Sequence, residues 1–278
     1  MRFIIISDYF LDEVVGGAEI NDHELQNILK QNNSEVFKIK SQDVTVHMLE
    51  ENRDSFFIVS NFINLAENVK AAMVALKYII YEHDHKYLRH RNPSAYNNFT
   101  APAHHIINDD FYRQARAVLC QSQFHLDIIA KNLNISNLIS LGGNLWSLEA
   151  LEKIQKINTK PKKDSCSIMN STTSHKNTRG AIEYCIANNL KYELISGMPY
   201  HNFLEEMGKN KRLVFFPQTP ETLSRIVVEA RMMGMSVITN KLVGAVYEDW
   251  FNLKGEPLIS KMVDKRNEVF EKIMGVLI

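Results

Sequence analysis

The stretch from Arg212 to Ala245, RLVFFPQTPETLSRIVVEARMMGMSVITNKLVGA, most constrains what this chain can fold into. It reads as strand, short loop, helix, strand and loop. Leu213, Val214, Phe215 and Phe216 form a short apolar run stopped by Pro217, the pattern of a buried parallel strand. From Leu223 onward the apolar positions Ile226, Val227, Ala230 and Met233 recur at helical spacing, and Gly234 ends the helix. Ser236 to Thr239 is the next strand.

Two carboxylates frame that helix, Glu221 and Glu229. On one continuous helix they differ by roughly 80° around the axis and roughly 12 Å along it. Both then look into one cleft, at opposite ends of a ligand as long as a nucleotide sugar. The helix start between them, with Thr222, Leu223 and Ser224, offers backbone N–H groups to a phosphate. The spacing alone equally suits a Glu221 that favours the helix dipole and a Glu229 that faces water.

The 278 residues suffice for two α/β domains of about 140 residues each, and 45% hydrophobic content supplies their cores. Formal net charge is zero, which excludes a chain-wide field for nucleic acid or anionic membrane but leaves room for a local basic patch. No apolar run approaches the roughly 20 residues of a membrane span. The opening MRFIIISDYF is broken by Ser7 and Asp8 and is expected to be a first strand, not a signal peptide. Cys120, Cys166 and Cys185 are scattered and odd in number. They point to a reducing cytoplasm without disulfides or a metal cluster.

Arg2 to Ser7 reads as the first strand, and the loop after it brings Gly16 and Gly17 to a helix start. That glycine pair permits close backbone approach to a phosphate or sugar, or simply a turn. Further strands are expected at Val36–Ile39, Phe56–Val59, Lys77–Tyr81, Ala117–Cys120 and Leu138–Leu141. Helices are expected at Asn68–Ala75 and Gln123–Leu133, the latter capped by Ser122. The fourth strand runs into E-H-D-H, where His83 and His85 suit a proton carrier, a metal ligand or a solvated loop. A loop from Tyr87 to His105 follows, basic and aromatic, with Arg89 and Arg91. Long loops of this kind commonly handle ligands. His104 and His105 add no zinc-type spacing to it. The polar, Lys-rich LEKIQKINTKPKKD marks a passage between domains, which we place at 1–146 and 147–278. In the second half, Cys166–Met169 and Tyr192–Ile195 are strands. Between them Lys176 precedes the helix RGAIEYCIANN, where it suits a diphosphate or plain solvent. Ser260 to Ile278 reads as a closing helix.

E-T-L-S-R-I-V-V-E-A followed by M-G-M-S-V-I and G-A resembles the E-x7-E segment of retaining glycosyltransferases with the GT-B fold, family 4 in particular. G-G-A-E matches that family's first loop, His83-Asp84 its H-D pair, and V-L-C-Q-S-Q-F-H its last N-terminal Rossmann strand. The resemblance implies two Rossmann-like, doubly wound α/β domains facing a central cleft. It implies transfer of a hexose-type sugar, with retention, from a UDP- or GDP-linked donor to a hydroxyl of a glycan, lipid-linked sugar, small molecule or modified DNA base. No metal and no cofactor beyond the nucleotide sugar are implied. Glu221, His83 and Lys176 would act at the reacting sugar and diphosphate. Gly16, Gly17, Thr222, Leu223, Arg225 and Glu229 would complete the donor site, with Glu229 on the ribose hydroxyls. Arg89, Arg91 and His85 would meet the acceptor. The family places Arg-x4-Lys on the diphosphate, and here Ser171 stands at the Arg position, with Arg225 the candidate replacement. A nucleotide-sugar epimerase of the same fold and a catalytically reduced sugar-nucleotide-binding protein are the alternatives. Neutral net charge disfavours a DNA acceptor. The short chain predicts a reduced C-terminal crossing helix.

Overall fold

The computed structural model describes residues 1–277. They fall into two compact units: Met1–Leu145 joined by the chain from Lys265 onward, and Trp146–Asp264.

The first unit alternates strands and helices. In chain order these are β1 (Arg2–Ser7), α1 (Gly17–Gln31), β2 (Glu35–Lys40), α2 (Val46–Glu51), β3 (Phe56–Val59) and α3 (Glu67–Met73). β4 (Lys77–Glu82), α4 (Asp109–Gln114), β5 (Val118–Cys120), α5 (Gln123–Asn132) and β6 (Leu138–Ser140) follow. The six strands are parallel and ordered β2-β1-β3-β4-β5-β6. Alternate residues of β1 enter opposite cores, as the strand period of two requires. Ile4 and Ile6 pack with Leu49, Val69, Met73 and Phe111, whereas Phe3 and Ile5 pack with Leu25, Ile28 and Leu29. The chain reverses direction across the sheet between β1 and β3, and such a switch point opens a crevice beyond the strands' carboxyl ends.

The second unit holds α6 (Leu148–Asn158), β7 (Lys163–Met169), α7 (Thr178–Ala187), β8 (Tyr192–Ile195) and α8 (Tyr200–Met207). β9 (Asn210–Phe215), α9 (Arg225–Met232) and β10 (Ser236–Thr239) continue it, and α10 (Glu256–Leu277) closes the chain. Its four parallel strands are ordered β10-β9-β7-β8, which puts the switch point between β7 and β9. The polar-looking LEKIQKIN is α6, an amphipathic helix capped by Ser147 that buries Leu151, Ile154 and Ile157. α10 places Leu258, Ile259 and Met262 in the second unit's core, and Val269, Ile273 and Leu277 in the first unit's. This helix runs 22 residues and begins at Glu256, ahead of the Ser260 expected for it.

The helix expected from Leu223 begins at Arg225, after Ser224 at a positive φ of 77°. Glu221 lies outside it and forms a parallel bridge with Val243. Its N–H donates to Leu242 at 2.7 Å and its carbonyl accepts from Gly244 at 2.9 Å. The helical arithmetic relating Glu221 to Glu229 therefore does not apply. Strand-like pairing holds the first carboxylate, and the helix holds only the second.

Candidate functional site

Within the second unit, the residues expected to meet the diphosphate and the sugar converge at the switch point. Lys176 ends the loop after β7, and Glu221 lies in the loop after β9. The Lys176 Nζ donates to Glu221 Oε1 at 2.7 Å. The ammonium also lies 5.9 Å from the centre of the Phe215 ring, a cation–π contact. Both side chains keep contact with solvent, 28% and 15% exposed. The two loops are tied together behind this pair. Gln218 donates its backbone N–H to His175 O at 2.8 Å, and the Asn177 amide donates to Phe216 O at 2.9 Å. Asn177 adopts a left-handed conformation and caps α7 by accepting from Gly180 N at 3.1 Å. A Cβ on Gly180 would approach that Asn177 amide to 2.5 Å, so the glycine makes room for the cap.

Glu229 is 3% exposed and does not face water. Its Oε1 accepts from Trp146 Nε1 at 2.9 Å and from Tyr200 OH at 2.7 Å. Arg225, one turn earlier on α9, brings its Nε to 3.5 Å from the same oxygen and its guanidinium to 4.5 Å from the Trp146 ring. Burial and the neighbouring carboxylate push the Tyr200 phenol well up from its usual range, so it stays a hydrogen-bond donor. Arg225 is thus engaged with Glu229 and Trp146. Ser171 accepts from Thr173 N and donates its backbone N–H to Thr178, shaping the loop before α7. Leu223 is fully buried, and its carbonyl accepts from Ala245 N at 3.0 Å. Ser224 stands before the first turn of α9, and its carbonyl accepts from Val227 N at 3.2 Å and Val228 N at 3.3 Å. Thr222 lies two residues earlier, in the loop that carries Glu221.

In the first unit the switch point gathers Asp8, Glu19, Asp22, Ser60, His83 and Gln121. Asp8 follows β1 and accepts from the backbone N–H groups of Ile63 and Asn64, both at 3.0 Å, and from Ser41. Asp22, on α1, accepts from Ser60 and faces His83 Nε2 at 2.9 Å. The other ring nitrogen of His83 meets the Gln121 amide nitrogen at 2.6 Å, and the ring stacks on Tyr81 at 4.9 Å. The Gln121 amide and the Asp22 carboxylate thus hold the two ring nitrogens of His83. Both nitrogens of His83 are engaged, and its side chain is 4% exposed. It ties α1 to the ends of β4 and β5. Gly16 precedes α1 in extended conformation, and a Cβ there would reach 2.3 Å from Glu19 Oε2. Gly17 is the first residue of that helix. Burial raises the Glu19 carboxyl above its ordinary range.

The expected acceptor residues divide. Arg89 and Arg91 line a cavity of about 500 Å³ that lies wholly within the first unit. His85 does not belong to it. It is 3% exposed, its Nδ1 pairs with Tyr87 OH at 3.1 Å, and its ring packs edge-on to His125 at 5.1 Å. Burial holds its imidazole down at about 4, so it is a neutral core residue. Alternation in a strand would put His83 and His85 on one face; β4 ends at Glu82, and the loop beyond it takes the two histidines into different surroundings. Trp146, Tyr200, Lys70 and Asn108 carried no motif that would have singled them out. Among the described residues no group of three or more His, Cys, Asp or Glu side chains is placed to hold a metal. No described helix is long and apolar enough to cross a membrane.

No family model and no curated protein matches the sequence. Solved structures do match its fold. Anabaena Alr3699/HepE, solved in complex with UDP and glucose and with UDP-glucose, superposes with a TM-score of 0.58 at 11% identity, over 100% of this chain and 92% of that one. An α-glucosyltransferase bound to UDP and a 13-mer DNA containing an HMU base gives 0.51 at 11% identity, covering 98% and 94%. The lipopolysaccharide outer core galactosyltransferase WaaB gives 0.53 at 10% identity, covering 98% and 100%. The two Rossmann-like α/β units of this chain therefore have the GT-B fold.

Proposed function

We propose that the chain is a retaining glycosyltransferase that moves a hexose from a nucleotide-sugar donor to a hydroxyl acceptor. The observation that carries this reading is the meeting of Lys176 and Glu221 at the switch point between β7 and β9, close in sequence to the N-terminus of α9. An ammonium and helix-start N–H groups suit a diphosphate. An accessible carboxylate suits sugar hydroxyls. Glu229 contributes its second oxygen to the ribose diol, since Trp146, Tyr200 and Arg225 all converge on Oε1. UDP is favoured over GDP, because the structural neighbours Alr3699/HepE and the α-glucosyltransferase were solved with UDP.

In the reaction the acceptor oxygen bonds to the anomeric carbon while the bond from that carbon to the diphosphate oxygen breaks. The acceptor's hydroxyl proton passes to the departing diphosphate on the same face. Lys176 and the α9 start offset the negative charge that builds on the leaving group. No side chain of this chain is assigned as a covalent nucleophile. His83, with both ring nitrogens engaged, is a positioning residue that fixes α1 and its glycine pair.

The test is a product assay with UDP-glucose and UDP-galactose and a panel of hydroxyl acceptors, read by NMR at the anomeric proton. The expected result is UDP release with an α-linked product from the α-linked donor. A β-linked product contradicts retention. An altered nucleotide sugar without a glycoside assigns an epimerase instead, and nucleotide binding without turnover assigns the catalytically reduced protein.

A further inference from the structure

The 500 Å³ cavity of the first unit has the size of a small-molecule site, about 300–1,000 Å³, and a cationic lining. It opens where the chain leaves β3 and β4, neighbouring parallel strands. Lys70, Lys86, Arg89 and Arg91 line it, opposed by Glu67 among its own lining residues. The four cations are not equivalent. Lys86 is 3% exposed, and its ammonium donates to Glu82, to Asp84 at 3.1 Å and to Asn61 at 3.3 Å. Those three partners match its three N–H groups, so Lys86 is structural. Lys70 is 8% exposed and donates to Glu67 at 2.7 Å and to Asn108 Oδ1 at 2.9 Å, which leaves one N–H. Asn108 also donates to the Lys86 carbonyl at 2.9 Å. The Phe62 ring lies under both ammoniums, 5.8 Å from Lys70 and 5.4 Å from Lys86. These contacts fix Lys70 at the cavity floor. At the rim, Arg91 shares Asp84 at 3.2 Å. Arg89 is exposed and has no ion pair among the described residues.

Counting Glu82 and Asp84 behind the wall, the charges nearly balance, and the surplus positive charge belongs to Arg89. A fixed ammonium N–H below and two guanidinium forks above suit an anion with three terminal oxygens better than one with two. Ile63, an exposed side chain, and Ile107 supply apolar surface beside them for the face of a sugar ring. We infer that this cavity binds a phosphorylated saccharide, with Lys70, Arg89 and Arg91 on the phosphate. Calling that ligand the acceptor rests on the glycosyltransferase reading above, whereas the anion site itself does not.

The experiment is calorimetry on the full chain with glucose 6-phosphate, glucose, glucuronate, octyl glucose 6-phosphate and a short single-stranded DNA, and separately with UDP and UDP-glucose. The variants are Arg89→Gln, whose exposed side chain has no ion pair among the described residues, and Lys70→Gln, with melting temperature as the folding control. Glucose 6-phosphate is expected to bind at least tenfold tighter than glucose. Each variant should erase most of that preference while UDP affinity stays unchanged. Octyl glucose 6-phosphate binding tighter than the free sugar phosphate supports a lipid-borne source, and equal affinity supports a soluble one. Equal binding of glucose and glucose 6-phosphate, or no effect of Arg89→Gln, overturns the proposal. Tighter glucuronate binding, or Arg89-dependent DNA binding that exceeds both, overturns the sugar-phosphate assignment. If UDP binds and no sugar phosphate does, the anion site fails and the transferase reading stands. If the sugar phosphate binds through Arg89 and neither UDP nor UDP-glucose binds, the acceptor role and the transferase reading fail together.

Discussion

The ammonium of Lys176 donates to the carboxylate of Glu221 at 2.7 Å, across 45 positions of sequence. Two loops that leave adjacent parallel strands at a switch point bring them together. With 28% and 15% exposure the pair is screened by solvent, and it contributes at most about 1 kcal/mol to stability. Its value is placement. Glu221→Gln should leave melting temperature and UDP affinity close to wild type and lower kcat by at least tenfold, because a sugar-facing contact tightens as the glycosidic bond breaks. Initial-rate kinetics with a saturating donor check this. An unchanged kcat removes Glu221 from the reacting sugar.

Glu229 separates stability from binding. Glu229→Ala strands the buried donors of Trp146 and Tyr200 and should cost about 2–4 kcal/mol in urea denaturation. Glu229→Gln keeps an acceptor oxygen for those donors and should cost less. It should nonetheless raise the donor KM with kcat nearly intact, the signature of lost uniform binding. A Gln variant with wild-type donor KM places the ribose elsewhere.

His83 holds Asp22 and Gln121 at 2.9 and 2.6 Å. His83→Ala leaves a buried carboxylate with one partner fewer and should destabilise the first unit by about 1–3 kcal/mol. UDP affinity should not change, since Lys176 and Glu229, assigned to its diphosphate and ribose, lie in the second unit. Loss of UDP binding in a folded His83→Ala protein would contradict the positioning role.

His85 sets a pH dependence whose sign follows from burial. Its folded value near 4 lies below the ordinary 6.5. The unfolded chain therefore binds the proton first as pH falls. The stability held by neutral His85 is complete above about 6.5, declines as pH drops toward 4, and changes no further below. The shift corresponds to roughly 3 kcal/mol at 1.36 kcal/mol per unit. The neighbouring Asp84 opposes the effect and Lys86 adds to it. Urea midpoints at pH 7 and pH 5 should fall more for wild type than for His85→Gln. Equal falls would assign the dependence to other groups.

Interior strands such as β1 and β3 were legible because burial on both faces leaves nearly uninterrupted apolar runs. Arg2–Ser7, Phe56–Val59, Tyr192–Ile195 and Ser236–Thr239 lie where the sequence alone puts them. α2 and α8 were not read, since six and eight residues hold too few turns to show a period. Glu221 to Leu223 carries the polarity of a helix start. Only the tertiary pairing with Val243, distant in sequence, turns it into a bridge. Lys176 and Glu221 were nameable one at a time, and their contact was not. The partners of Glu229 came from Trp146 and Tyr200, which sit in no motif. The cationic cavity spans residues from Phe62 to Asn108, and a charge count along the chain averages it away.

The central claim is that a nucleoside diphosphate binds the second unit at the β7–β9 switch point. Calorimetric titration of UDP into wild-type protein and into Lys176→Ala tests it most directly. The account expects saturable binding to wild type, weakened in the variant by about 1.5–3 kcal/mol, roughly 10- to 150-fold, as for a lost hydrogen bond to a charged group. Binding of UDP with equal affinity to both proteins, or to neither, would contradict it.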